Sequence, residues 1–514
     1  MYSTTVTGAL LGVSAYLVSV EVDISSGLPT LSLVGSLSQD VREARERVGV
    51  ALRNTGIHLP PSRITVNLSP ANRRKDGTAF DLAIAVGLLE AMGQICEGAA
   101  KDTLFLGELG LDGEIKSVSG VLPIIREAAA KGIKQCIVPS ANGPEGALIS
   151  GITVRGVDDL SQLISFLRSE HKERESVLPA IRLDAAKLFQ DQSIEKIPDF
   201  SEVRGQETAK RGAEIAAAGF HHLLMAGPPG AGKSMIAKRI PGILPPLSLE
   251  ESLEVTSIVS VAGLLKEGET LVTARPFQNP HHTITQAALV GGSTVPRPGV
   301  ISLAHRGVLF LDELPEFQRA ALDSLRQPLE EHQVHIARAN SAVTYPSDFM
   351  MVCAMNPCPC GYYPDVNRCR CTEPQIRRYM GKVSGPILDR IDLCVELEAV
   401  DIAGLKAEEN SESSAQIRER VMEARKRQQK RFHGTAYRFN SDIRAADIEV
   451  FCPLGKREKQ HMEQLCRALG LSVRAYHRIL KVARTIADLE GADKIGMEHL
   501  MEASFYRPAQ EYWK

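Results

Sequence analysis

Residues 227–234 read Gly227-Pro228-Pro229-Gly230-Ala231-Gly232-Lys233-Ser234, which fits the phosphate-binding pattern G-x-x-x-x-G-K-[ST]. The pattern constrains the fold because it needs a buried strand before it and a helix after it. The apolar run His222-Leu223-Leu224-Met225-Ala226 predicts the strand, and Met235-Ile236-Ala237-Lys238-Arg239 predicts the helix. The glycines let backbone N–H groups close around a β-phosphate. The helix N-terminus adds partial positive charge there. Lys233 would reach the β- and γ-phosphates, and the Ser234 hydroxyl would hold Mg²⁺.

A phosphate loop by itself says only that a nucleotide binds. Val308-Leu309-Phe310-Leu311-Asp312-Glu313 is an apolar strand ending in two acids. Asp312 would bind Mg²⁺ through water, and Glu313 would orient the hydrolytic water. No Asn-Lys-x-Asp guanine motif occurs, so ATP is favoured over GTP. A third apolar strand, Phe349 to Met355, ends at Asn356, which suits a sensor-1 role between the acids and the γ-phosphate. The alternative is a turn residue before Pro357. In Leu388-Asp389-Arg390-Ile391-Asp392-Leu393, Arg390 is expected at the tip of a short strand. It could reach the γ-phosphate of a neighbouring subunit, or simply form a surface Arg–Asp pair. Ser472-Val473-Arg474 opens a helix, where Arg474 suits a sensor-2 role with Arg478 as runner-up.

At 514 residues the chain is too long for one core, and roughly two to four domains are expected. The formal net charge is −2, so any nucleic-acid surface has to be local. No apolar run approaches about 18 residues, so no transmembrane helix is expected. Met1-Tyr2-Ser3-Thr4-Thr5 lacks the basic start of a signal peptide. The expected location is the cytoplasm, where the ten cysteines should not form disulfides.

The fold class expected is α/β. Residues 1–168 carry strand-like runs at 11–22, 30–35, 63–68, 104–108 and 134–138, with helical periodicity at 40–54, 78–92 and 121–131. Gly56-Ile57 and Gly132-Ile133 read as glycine C-caps. Residues 169–195 are charged and read as a linker. Residues 196–400 form the P-loop unit, and 401–514 read as an all-helical lid. Breaks in that lid are expected near 407–415 and at Pro453-Leu454-Gly455.

Four longer stretches carry a family resemblance. They are Arg204-Gly205-Gln206-Glu207-Thr208-Ala209-Lys210-Arg211, Asn279-Pro280-His281-His282, Ser302-Leu303-Ala304-His305-Arg306-Gly307 and Met355-Asn356-Pro357-Cys358-Pro359-Cys360-Gly361. With them the whole chain resembles the YifB/ComM family of magnesium-chelatase-like AAA+ ATPases. That resemblance implies a hexameric ring with ATP at subunit interfaces. It supports the finger role for Arg390 and the sensor-2 role for Arg474. Residues 63–92 and 106–140 resemble the Lon-protease-like, ribosomal-S5-type fold. Ala79 stands where that family has its nucleophilic serine, and Gly120-Val121-Leu122-Pro123-Ile124-Ile125 lacks the matching lysine. The domain therefore reads as non-proteolytic, like the inactive module of the RadA branch-migration family.

Between Lys233 and Asp312 there is room for an extra element. Residues 277–300 are rich in turn formers and match the helix-2 insert of the resembling clade. Residues 333–348 alternate apolar and polar side chains and read as a β-hairpin, matching the pre-sensor-1 hairpin. Arg338 near its tip and Arg297 in the insert are candidate DNA-phosphate contacts; the alternative is an ordinary surface turn. His281 and His282 lack a cysteine or carboxylate at metal-ligand spacing. Cys358, Cys360, Cys369 and Cys371 form C-x-C-x₈-C-x-C, which suits tetrahedral Zn²⁺, with free or redox-active thiols as the alternative. Seven basic residues from Arg418 to Arg431, five from Leu465 to Ala487, and Arg73-Arg74-Lys75 are either solvated faces or nucleic-acid contacts.

The leading reading is a ring motor in which ATP hydrolysis between subunits moves pore hairpins of the protein along DNA, without base readout. The resemblance implies branch migration of recombination intermediates in natural transformation. The alternatives are a metal-insertion ATPase like magnesium chelatase and a MoxR-like remodeller of a protein partner.

Overall fold

A long antiparallel hairpin begins the chain. β1 (Tyr2–Leu11) and β2 (Ser14–Ser25) pair through a turn at Gly12, whose φ is +65°. The sequence predicts one strand over 11–22 here. The apolar run continues across the turn, so hydropathy cannot mark it. β3 (Thr30–Val34), β4 (Arg63–Ser69) and β5 (Thr103–Phe105) follow. β6 (Glu108–Leu109) and β7 (Ile115–Lys116) make a small separate ribbon, before β8 (Gln135–Pro139) and β9 (Thr153–Val157). The main sheet has seven strands in the order β3-β4-β2-β1-β5-β8-β9. The structure, a computed structural model, describes residues 1–170, 173–184, 188–189, 197–266, 268–292, 296–338, 341–398 and 412–506.

Helices Gln39–Asn54, Asp81–Ala91 and Val121–Ala130 pack on this sheet. The helix Asp81–Ala91 is buried along nearly its whole length, which its almost unbroken apolar sequence requires. Gly56 and Gly132 hold the left-handed conformation just past two helices. Ile57 N–H donates to Leu52 O (2.9 Å) and Ile133 N–H to Ala128 O (3.0 Å), closing the last turns.

Part of the expected linker packs instead as structure. The short helix Arg174–Val177 is tied to the sheet by Glu175 on Arg155 (2.8 Å), and Ile181 N–H donates to Val154 O (2.8 Å). A burst of charged residues hides this, because one of those charges is an anchor. Residues 171–172, 185–187 and 190–196 of that linker lie outside the described residues.

The second sheet is parallel. Its strands are β10 (Leu223–Ala226), β11 (Phe277–Gln278), β12 (Val308–Leu311), β15 (Met350–Met355) and β16 (Leu393–Glu396), in the order β11-β12-β15-β10-β16. β12 and β15 are buried at every residue, as continuous apolar strands covered on both faces must be. This order sets the ends of β10, β12 and β15 side by side, the crevice where α/β sheets bind ligands. β13 (Gln333–Arg338) and β14 (Ser341–Pro346) pair as a separate hairpin, in register Gln333 to Pro346.

Helices Ser414–Arg431, Ile448–Phe451, Lys456–Leu469, Val473–Leu489 and Met497–Phe505 form the C-terminal part. They share one apolar core with β10, β16 and the P-loop helix. The break at Pro453-Leu454-Gly455 separates two helices; most of the break expected near 407–415 lies outside the described residues. Five residues of the basic run 418–431 have partners within the chain. Arg420 pairs with Glu214 and Glu412, Lys426 with Glu423, Arg427 with Asp493 and Arg431 with Asp488, while Arg425 stacks 4.0 Å over Phe439. Arg420, Arg425 and Arg431 thus tie the helix to its neighbours, whereas Lys426 pairs within the helix.

The N-terminal and P-loop units touch at defined points. Gly120 N–H donates to Ser260 O (3.1 Å), and Val13 at the β1–β2 turn packs into the cluster around β13 and β14. Among the described residues no helix is long and apolar enough to cross a membrane.

Candidate nucleotide site

β10 ends at Ala226, and the helix Lys233–Ile243 begins six residues after Gly227. Gly230 and Gly232 have φ of +78° and +91°, which side-chain-bearing residues rarely adopt. A Cβ built on either would meet no heavy atom within 4 Å, so an open hollow lies over the loop. That hollow fits a phosphate held by backbone N–H groups.

Lys233 is 9% exposed and donates to Gly227 O (2.6 Å), Pro228 O (2.9 Å) and Asn356 Oδ1 (3.0 Å). Burial pushes its ammonium pKa down, against the pull of Asp312. Ser234 Oγ donates to Asp312 Oδ2 (2.7 Å). A hydroxyl and a carboxylate in contact are hard oxygen donors of the kind Mg²⁺ takes with several waters, so this pair fits that ion. Asn356 lies just past β15, adjacent to β10 in the sheet, which is why sequence-distant Lys233 and Asn356 touch.

Glu313 has φ of +54°, a left-handed conformation, and its N–H donates to Asp312 Oδ1 (3.0 Å). Its carboxylate stands 3.2 Å from His282 Nδ1. The His282 ring lies 4.1 Å from that of His281, whose Nδ1 is 2.9 Å from Thr283 Oγ1. Sequence reasoning missed this contact. The Asn-Pro-His-His run follows β11 directly, and β11 neighbours β12, so the sheet order was the missing signal.

Arg390 lies in the turn after the short helix Gly385–Leu388, three residues before β16, rather than at a strand tip. It ion-pairs with Glu330 and donates from Nη1 to Pro386 O (2.6 Å). Arg474 is exposed in the first turn of the helix Val473–Leu489. Arg478, one turn on, donates to Ile391 O (2.6 Å) and Leu388 O (3.3 Å). The structure thus brings Lys233, Ser234, Asp312, Glu313 and Asn356 together. Arg390, paired with Glu330, and Arg474, exposed on its helix, stand apart from this group.

Three family models match in chain order. "Subunit ChlI of Mg-chelatase" covers 20–142, "Magnesium chelatase, subunit ChlI" covers 199–405, and "Magnesium chelatase, subunit ChlI C-terminal" covers 411–507. The uncharacterized protein YifB of Escherichia coli is 44% identical over 503 residues, 98% of this chain and 96% of its own. Competence protein ComM of Haemophilus influenzae is 42% identical over 503 residues, covering 97% and 96%. The chain belongs to the YifB/ComM family of magnesium-chelatase-like AAA+ ATPases. DNA repair protein RadA of Bacillus subtilis is 29% identical over a shorter 170 residues, 31% of this chain and 34% of its own.

Membership in this AAA+ family carries nucleotide and Mg²⁺ with it, and the residues above suit both. The stretch after β11 holds two helical pieces, Gln286–Val290 and Val300–Leu303, and between them Gly291 bridges Pro298. Phe277 and Gln278, expected within the insert, belong to the edge strand of the sheet. Arg297, next to Pro298, is exposed. Arg338 is the last residue of β13, paired in register with Ser341 across the hairpin end.

The four cysteines converge. Cys358 Sγ is 3.3 Å from Cys360 Sγ and 3.7 Å from Cys369 Sγ, Cys360 and Cys369 are 3.6 Å apart, and all four sulfurs lie within 4.8 Å of one another. Four thiolates about 2.3 Å from one Zn²⁺ would stand about 3.8 Å apart, so the spacing fits a tetrahedral ion. Gly361 and Tyr363 N–H donate to Cys358 Sγ (3.2 and 3.4 Å). The knuckle also abuts the P-loop. Gly361 (φ +87°) lies so near Pro229 that a Cβ there would come 2.5 Å from its Cδ.

In the N-terminal unit, Ala79 offers no nucleophile, and its carbonyl accepts from Gly107 N–H (3.2 Å). Lys75 is fully buried on Pro70 O, Arg74 pairs with Asp76 (3.0 Å) and Arg73 lies 4.9 Å over the Tyr16 ring.

Proposed function

We propose that the protein is an ATP-driven ring motor, a helicase or branch-migration ATPase, acting on recombination intermediates, with ATP bound at subunit interfaces of a homo-hexamer. The observation that carries the reading is the meeting of Lys233, Ser234, Asp312, Glu313 and Asn356 around one open phosphate hollow, while the cation suited to the γ-phosphate, Arg390, is bonded elsewhere in its own chain. A site complete but for that cation is what a neighbouring subunit would finish.

Gly227 to Ser234 cradle the phosphates, and Lys233 balances charge on the β- and γ-groups. Ser234 and Asp312 would hold Mg²⁺, which supplies charge neutralisation when bound. Glu313 orients the attacking water and Asn356 fixes its position. Arg390 acts as the finger in trans, and Arg474, exposed in the lid, reads the nucleotide as sensor 2. Support for DNA as the track comes from the relatives' names, competence protein and DNA repair protein. Natural transformation is the process the competence relative suggests.

The test is ATP-dependent branch migration on a synthetic three- or four-strand junction. Wild type should move the junction and Lys233→Ala should not. Hydrolysis without movement, stimulated only by a protein, would favour the second reading. That reading is a chelatase-like or MoxR-like remodeller of a protein partner, which the magnesium-chelatase family models favour.

Two further outcomes are expected. Arg338→Ala should weaken DNA binding equally for unrelated sequences and lower the salt slope of log K by about one, measured by fluorescence anisotropy at several salt concentrations. Elemental analysis of the purified protein should find about one zinc per chain, falling to near zero in Cys369→Ser. A wild-type protein that is zinc-free with four titratable thiols would favour the redox reading.

A further inference from the structure

Arg478 is expected from sequence to be a spare nucleotide sensor. Its guanidinium is instead spent on backbone: Nη1 donates to Ile391 O (2.6 Å) and Leu388 O (3.3 Å). Those two carbonyls flank Arg390 in the chain. A second tie lies two turns along the same helix. Thr485, seven residues on and so on the same face, is 2.8 Å from His221 Nε2. His221 Nδ1 stands 3.5 Å from Asp392 Oδ2, and Asp392 accepts from His222 N–H (3.1 Å). Thr485 is itself fixed by Asn440 Nδ2 (3.0 Å), which also donates to Asp488 (2.9 Å). His221 is fully buried and Asp488 is 1% exposed, so this tie is a packed one.

We infer that Arg478 is a positioning residue that fastens the turn carrying Arg390 to the lid helix carrying Arg474, so that the lid of one subunit sets the finger presented to the next. This rests on the finger reading of Arg390. The physical argument is one of rigidity. The turn 389–392 has no side-chain core of its own beyond Ile391, and a bridging guanidinium removes its freedom relative to the helix. Lid and finger then move as one body. Nucleotide state at a subunit's own P-loop, sensed through the lid, becomes a displacement of the cation at the neighbouring site. A misplacement of about 1 Å at a catalytic group costs on the order of 100-fold in rate.

The test uses the full-length chain, with ATP hydrolysis, binding of a fluorescent ATP analogue and thermal melting measured on each variant. Arg478→Ala should lower kcat at least about tenfold with nucleotide affinity unchanged. Mixing it with Lys233→Ala should restore hydrolysis above either variant alone, because one supplies an intact P-loop and the other an intact finger. Arg478→Lys keeps the charge, but its ammonium ends one bond short of the Nη1 position that reaches both carbonyls, and it should show the same loss; it carries the test if the alanine variant melts early. Arg390→Ala mixed with Lys233→Ala is the reference. If that pair fails to complement, the finger reading is wrong. If it complements but the Arg478 variants keep wild-type kcat, or lose nucleotide affinity instead, the positioning role is overturned.

Discussion

Lys233→Ala is expected to abolish ATP turnover, with a loss on the order of 1000-fold or more, because removing one preorganised donor from a developing charge alone costs about 100- to 1000-fold. In the proposed mechanism the donor is also the charge that balances the β- and γ-phosphates. In the structure Lys233 Nζ is satisfied by Gly227 O, Pro228 O and Asn356 Oδ1. These are neutral acceptors, which phosphate oxygens outcompete because hydrogen bonds to charged partners are roughly twice as strong. Alanine suits the first helical position, so the helix Lys233–Ile243 should persist. No carboxylate depends on Lys233 as its sole partner, since Asp312 accepts from Ser234 and from Glu313 N–H. The variant should therefore melt near wild type while losing both nucleotide binding and hydrolysis. Retained hydrolysis would mean that the octapeptide is not the phosphate site.

Glu313→Gln should separate the two properties that Lys233→Ala removes together. Hydrolysis should fall by about 100- to 10,000-fold, the usual contribution of a positioned general base. ATP affinity should be preserved, because the phosphate cradle and the Ser234–Asp312 pair are untouched. Glu313 is exposed and its contact with His282 at 3.2 Å is partly solvated, so the substitution should cost little stability. Single-turnover chemistry and filter-retained ATP would show a loaded, stalled protein. If instead affinity collapses with hydrolysis, Glu313 is a nucleotide or metal ligand rather than a base.

Much of the nucleotide site was legible because its parts are local. A P-loop, an apolar strand ending in Asp312-Glu313, and an apolar strand ending before Asn356 each announce themselves within a dozen residues. The hairpin 333–346 was legible too, since alternation of polar and apolar residues is itself a strand's periodicity. The turn at Gly12 was not, because the apolar run does not change across it. The linker was half misread, because Glu175 looks solvated until Arg155 is seen beside it.

The sequence by itself therefore determined the family, the phosphate cradle, the two acids and the four clustered thiols, all of which depend on residue type at short spacing. The tertiary structure decided which distant residues share an environment. It set His282 on Glu313, Glu330 on Arg390, Arg478 on the carbonyls around Arg390, and Gly361 against Pro229. Those contacts follow from the strand order β11-β12-β15-β10-β16 and from the lid folding back on it. Neither is written in any local pattern, because both arise from burying apolar faces that lie hundreds of residues apart in the chain.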